Sequence, residues 1–146
     1  MQIEDLNRED VDELLLKVEH GDLGTVDNEG KPYVVPVSFK YIDRAIYMFF
    51  DFDDRGEKVD NLRENPHVCF TVSAIEPPDS ILRSIRSLKL SSVIARGKIE
   101  RVTDEAEKIR VYGETFVKRL LEVRPKGVYY KIRPEKITGR SYTMGT

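Results

Sequence analysis

Few side chains in this sequence have the types and spacing that side-chain catalysis demands. The two histidines, His20 and His67, lie far apart, and neither has another His, Cys or carboxylate at metal-ligand spacing, so a zinc site is not expected. His20 stands beside Gly21, where a helix is expected to end and a cation complements its dipole; His67 opens an extended run after Pro66. The single cysteine, Cys69, lies inside an alternating strand next to Phe70. It reads as a small buried residue, because a nucleophilic thiol needs a cationic, accessible setting. No G-x-S-x-G elbow, Walker loop or G-x-G-x-x-G is present. If the chain is an enzyme, a bound cofactor has to carry the reaction.

What remains is a set of groups suited to binding. A helix starting near Asp54 offers free backbone N–H groups, with Arg55 and Lys58 in its first turn, and a phosphomonoester fits such a terminus. Asp51, Asp53, Asp54 and Glu57 oppose an anion there, and on spacing alone a capped, solvated helix is the favoured reading. In Val34-Val35-Pro36-Val37-Ser38-Phe39, Pro36 has no N–H for a ladder, so it marks an edge strand, a bulge or a place where another molecule meets the backbone; the edge is favoured. Ser91 and Ser92 put hydroxyls into an apolar strand, where facing water is the simplest role. Arg83, Arg86 and Lys89 form a basic stripe that reads as a solvated face.

The elements that must position these groups are mostly strands. Asn7 caps a helix carrying Val11, Leu14, Leu15 and Val18 on one face, with Gly21 as its stop. Extended runs follow at 23–26 and 32–41, joined by the turn residues Asp27-Asn28-Glu29-Gly30, and a third at 45–52 follows a weaker turn at Asp43-Arg44; together they predict a three-stranded meander. A short helix over 54–65 is closed by Pro66. Residues 67–74 alternate as a half-buried strand, and Glu76-Pro77-Pro78-Asp79 is a loop. A long strand spans 88–102 with Gly97 as a bulge, a helix over 103–120 is weakened at Gly113, and a last strand at 127–133 leads into a tail through Ile137-Thr138-Gly139-Arg140. This order favours an antiparallel sheet over βαβ winding, closed into a barrel to remove edges.

Composition sets the outer bounds. A length of 146 residues, 40% hydrophobic, suits one domain over 1–146 with one core. A net charge of −2 gives no case for nucleic-acid binding. No run approaches the roughly 20 apolar residues of a membrane span. The acidic N-terminus lacks a signal-peptide layout, and one cysteine makes no internal disulfide, so a cytoplasmic protein is expected.

Taken together, the segments resemble the pyridoxamine phosphate oxidase-like flavoproteins, nearest the nitroimidazole-resistance-like branch. The resemblance rests on Gly24-Thr25-Val26-Asp27, on Gly30-Lys31-Pro32-Tyr33-Val34-Val35-Pro36-Val37-Ser38-Phe39 and on Ala45-Ile46-Tyr47-Met48-Phe49. It continues in Lys58-Val59-Asp60-Asn61-Leu62-Arg63-Glu64-Asn65-Pro66-His67-Val68, in Ser91-Ser92-Val93-Ile94-Ala95-Arg96-Gly97-Lys98 and in Ile137-Thr138-Gly139. It implies a six-stranded antiparallel split β-barrel with flanking helices that works as a homodimer, with FMN in clefts between subunits.

The resemblance also implies residue roles. Val35, Pro36, Val37 and Ser38 line the isoalloxazine, Phe50 and Asp51 lie along the ribityl chain, and Lys58 contacts the phosphate, with Arg55 a candidate second contact because Glu57 stands where the oxidase proper has arginine. Ser91 and Ser92 match positions that approach the flavin. The histidine that many nitroimidazole-resistance-like members carry near Phe49 or Phe50 is absent, and only Arg133 and Arg140 are candidates for a substrate-phosphate clamp, which argues against vitamin oxidation. The implied function is an FMN-dependent oxidoreductase acting on a small molecule, with NAD(P)H a candidate electron donor. The alternative is a non-catalytic flavin, deazaflavin or haem-binding module on the same barrel.

Overall fold

The computed structural model describes residues 2–51, 56–76 and 87–145. Asp54, Arg55 and the expected start of the second helix, most of the Pro77-Pro78 loop, and Arg83 and Arg86 lie outside the described residues. Along the chain run β1 (Gln2–Asp5), α1 (Arg8–Lys17), β2 (His20–Val26), β3 (Pro32–Ser38), β4 (Lys40–Ile42), β5 (Ala45–Phe50) and α2 (Glu57–Glu64). They are followed by β6 (His67–Glu76), β7 (Ser87–Val102), α3 (Glu105–Tyr112), α4 (Glu114–Val123) and β8 (Val128–Gly145). All strands join one antiparallel sheet in the order β3-β2-β6-β7-β8-β5-β4, with β1 also on β8. The fold is a mainly β split barrel, with eight strands among the described residues where six are expected from the sequence.

Local chemistry explains the first half. Asn7 accepts from the Asp10 N–H at 2.8 Å and caps α1, which buries Val11, Leu14 and Leu15. Asp27 holds the β2–β3 turn by accepting from the N–H groups of Glu29 and Lys31, with Gly30 at φ 83°. The turn at Asp43-Arg44 is a two-residue loop with both residues left-handed (φ 51° and 63°), the type I′ geometry that matches strand twist.

The expected meander does not form. The run over 32–41 divides at the buried Phe39, and β5 pairs with β8 instead of continuing beside β3. The reason lies in β5 itself, which is apolar on both faces. Ile46, Met48 and Phe50 fill the barrel, while Ala45 and Tyr47 pack beneath α3 and α4 with Val102, Val111 and Tyr129. A strand with two dry faces belongs in a covered layer, whereas a meander leaves one face to water.

Three further boundaries differ from the sequence reading. Gly21 does not stop α1, which ends at Val18 in extended conformation. Gly21 lies in β2, where any Cβ would overlap the Phe70 ring. The helix expected over 103–120 is two helices, parted by Gly113 at φ 88°. The last strand does not end at Arg133: β8 runs on through Pro134, beside a register shift that pairs Arg96 with Lys136 and Gly97 with Pro134 and skips Glu135. Gly97 permits it, since a Cβ there would stand 2.5 Å from the Arg133 carbonyl oxygen. Among the described residues no helix is long and apolar enough to cross a membrane.

Candidate functional site

The binding residues singled out from the sequence fall into two groups. The first gathers at the open end of the sheet. β3 is the terminal strand of the order, with Pro36 opposite Asp22. Alternation turns Val35 and Val37 toward the core and leaves Pro36 and Ser38 exposed. Both β5, which carries Phe50, and α2, which carries Lys58, approach β3.

Phe50 is buried, stacks at a tilt on Tyr130 with ring centroids 5.2 Å apart, and is followed by the exposed Asp51, which pairs with Arg124 at 3.7 Å. Lys58 is half-buried in the first turn of α2, its Nζ 5.0 Å from the centre of the Phe50 ring, a cation–π distance. No described carboxylate pairs with Lys58, although four acidic residues crowd this segment of the sequence. The N-terminus of α2 at Gly56 has no side-chain cap, so an ammonium and uncapped helix N–H groups occupy one place. Arg55 lies outside the described residues.

The motif around Lys58 is fastened from several directions. Asn61 is buried and its Nδ2 donates to Thr25 Oγ1 of β2 at 2.9 Å; Val59 and Leu62 enter the core. Asn65 Oδ1 accepts from the His67 N–H at 3.0 Å, and the Pro66 carbonyl accepts from Ile99 of β7 at 2.9 Å.

The second group does not join the first within one chain. Ser91 is buried on the inner face of β7 opposite Ala74 and Ser141, while Ser92 is half-buried on the outer face opposite Ser73 and Arg140. Two strands, β2 and β6, separate β7 from β3, about 14 Å along the sheet. Beside Ser92 runs a trough of about 310 Å³ lined by Ile94, Arg96, Lys136, Thr138, Arg140 and Tyr142. Arg96 stands directly opposite Lys136, a like-charge pair that costs stability across a ladder. Sequence reading singled out only Arg140 of these cations. The Arg96–Lys136 pairing depends on the register shift at Gly97; the glycine marks the bulge in the sequence, but not the residues it brings opposite each other.

Two other polar clusters contain none of the residues expected to hold the flavin, although Arg140 lines the first. A cavity of about 620 Å³ lies between α1, β4 and β8, where Tyr41 donates to Asp12 at 2.6 Å. Burial, reinforced by Asp12, pushes the Tyr41 hydroxyl up to about 12. On the back of the sheet the Lys131 side chain, only 9% exposed, bonds Glu107 at 2.6 Å, and Tyr47 donates to the same carboxylate at 2.7 Å. Arg110 extends the network to Asp43. Hydrogen bonds from Lys131 and then Tyr47 hold the Glu107 carboxyl below its ordinary range, and the network fixes α3 to the sheet. Among the described residues no three His, Cys, Asp or Glu side chains gather as a metal site.

With this arrangement in view, the sequence profile of the family described as pyridoxamine 5'-phosphate oxidase matches residues 7–141. The chain belongs to that family. Its fold recurs in a FAD-binding protein from Mesorhizobium loti, at 22% identity and a TM-score of 0.74, covering 97% of this chain and 99% of that one. A candidate 5-nitroimidazole antibiotic resistance protein from Bacteroides thetaiotaomicron gives 22% identity and a TM-score of 0.75, over 99% and 91% of the two chains. The haem storage protein HutZ from Vibrio cholerae matches at 16% identity and a TM-score of 0.61, over 89% and 92%. No curated protein matches the sequence.

Proposed function

We propose that this chain is an FMN-binding flavoprotein of the pyridoxamine 5'-phosphate oxidase family, acting as a homodimeric oxidoreductase on a small molecule. The observation that carries the reading is the Lys58 ammonium over the Phe50 ring, on two elements, α2 and β5, that both approach the terminal strand β3. The Lys58 ammonium is of the charge that a phosphate takes, and the N-terminus of α2, without a side-chain cap, adds N–H donors of the same polarity. Val35 to Ser38 offer backbone groups and a small hydroxyl along an edge that a planar ring system can approach. Flavin supplies hydride and electron transfer when bound; the protein orients it and limits access of water. NAD(P)H is the proposed electron donor.

The dimer is part of the same proposal. Val34, Ile75, Leu90 and Ile94 share the outer sheet face by strand alternation and are 64%, 64%, 37% and 38% exposed. Apolar side chains gathered on one face support burial against a second copy. Such a copy would bring Ser92 and the Arg96–Lys136 trough toward the β3 cleft, supplying what one chain keeps distant.

Titration of the purified protein with FMN, followed by anaerobic addition of NADPH, tests the reading. Saturable binding and bleaching of the flavin spectrum support it; binding without bleaching leaves a passive flavin protein. A Soret band on adding haem, with FMN ignored, would replace it by the haem-binding alternative.

A further inference from the structure

We infer that the buried hydrogen bond between Asn61 and Thr25 sets the separation between Lys58 and strand β3, making Asn61 a positioning residue for the flavin phosphate. This rests on the flavin reading above. Asn61 is 4% exposed and Thr25 1%, beside Val59 and Leu62, which already anchor α2 through apolar contact. An amide in such surroundings costs free energy unless it is bonded, and an apolar pair of the same shape would pack there with little loss. What the polar pair adds is direction. Apolar contacts tolerate sliding and rotation, whereas a hydrogen bond of 2.9 Å holds one narrow range of distance and angle.

The geometry ties three elements together. Asn61 lies nearly one helical turn beyond Lys58, so any rotation of α2 that displaced the amide would swing the ammonium with it. Thr25 is the cross-strand partner of Tyr33, and its hydroxyl donates to the Tyr33 carbonyl at 3.5 Å, two residues before Val35. The path Asn61–Thr25–Tyr33 therefore joins the helix bearing the phosphate contact to the strand proposed to line the ring. FMN spans a limited range between ring and phosphate, so both contacts form together only if helix and strand keep one spacing.

The test compares FMN with riboflavin, which lacks the phosphate, in wild type, Thr25→Val, Asn61→Leu and the double variant, each checked by thermal melting. Either single change is expected to raise the FMN Kd about tenfold, the order of one loosened charge-assisted hydrogen bond, while riboflavin stays within about twofold. The double variant should be no worse than the poorer single, and Thr25→Ser, which keeps the hydroxyl, should retain wild-type binding. Parallel weakening of both flavins would reduce the pair to packing and overturn the inference, as would unchanged FMN affinity in a folded variant. Should Asn61→Leu not fold, Thr25→Val decides alone, because it removes the acceptor and keeps the shape. A wild-type chain that binds neither flavin overturns the flavin reading itself and this inference with it.

Discussion

Lys58 concentrates the functional argument in one ammonium group. Its replacement by alanine should weaken FMN binding by roughly 1.5–3 kcal/mol, the usual worth of a hydrogen bond to a charged group, and leave riboflavin binding nearly unchanged. Isothermal titration with both ligands measures the difference. Tyr41 offers a prediction of another kind. Its hydroxyl is shifted from 10.0 to about 12 by burial and by Asp12, so the folded chain holds that proton more tightly than the unfolded one. The resulting stabilisation is complete below pH 10.0 and is lost as pH rises toward about 12. Tyr41→Phe should therefore show a shallower loss of stability over that window in urea melts at stepped pH. At this scale the sequence was only partly legible. The spacing of Lys58 favoured a solvated helix, and the acidic residues around it argued against an anion. Resemblance reversed that reading, while the ring of Phe50 beneath the ammonium is a tertiary contact outside the reach of spacing.

Among the elements, the β7–β8 ribbon depends on a single close approach. Gly97→Ala would force a Cβ against the Arg133 carbonyl and undo the register shift that lets Pro134 sit inside a strand. A loss of about 1–3 kcal/mol is expected in denaturant melts, the range for overpacked sites. The docking of α3 is equally exposed to one change. Lys131→Met leaves Glu107 to Tyr47 and Arg110 alone and should cost about 1.5–3 kcal/mol in denaturant melts, the usual worth of a hydrogen bond to a charged group. What could be read in advance were elements with local causes: the Asn7 cap, the Asp27–Gly30 turn, the alternation of β6 and the bulge at Gly97. What escaped were the destinations. The separation of β4 from β3, the pairing of β5 with β8 and the short polar β1 are settled by distant partners. The division of the late helix at Gly113 was foreshadowed only as a weak point.

The whole molecule presents an outer sheet face on which apolar side chains lie beside Arg96, Lys136 and Arg140. Ile94 sits among them, two residues from both Ser92 and Arg96, and is accessible enough that Ile94→Asp should leave the barrel folded. Sedimentation equilibrium should then find wild type as a dimer and the variant shifted toward monomer, with FMN affinity reduced because the second copy's contribution is withdrawn. A monomeric wild type that binds FMN normally would refute the intersubunit site while leaving Lys58 its role.

β8 is the common partner of β1, β5 and β7. During synthesis those three strands emerge from the ribosome long before residues 128–145 do, and each waits with an unsatisfied edge. Closure of the barrel is therefore a late event in the life of the nascent chain, and the doubly apolar β5 is the segment most in need of shelter by a chaperone until then.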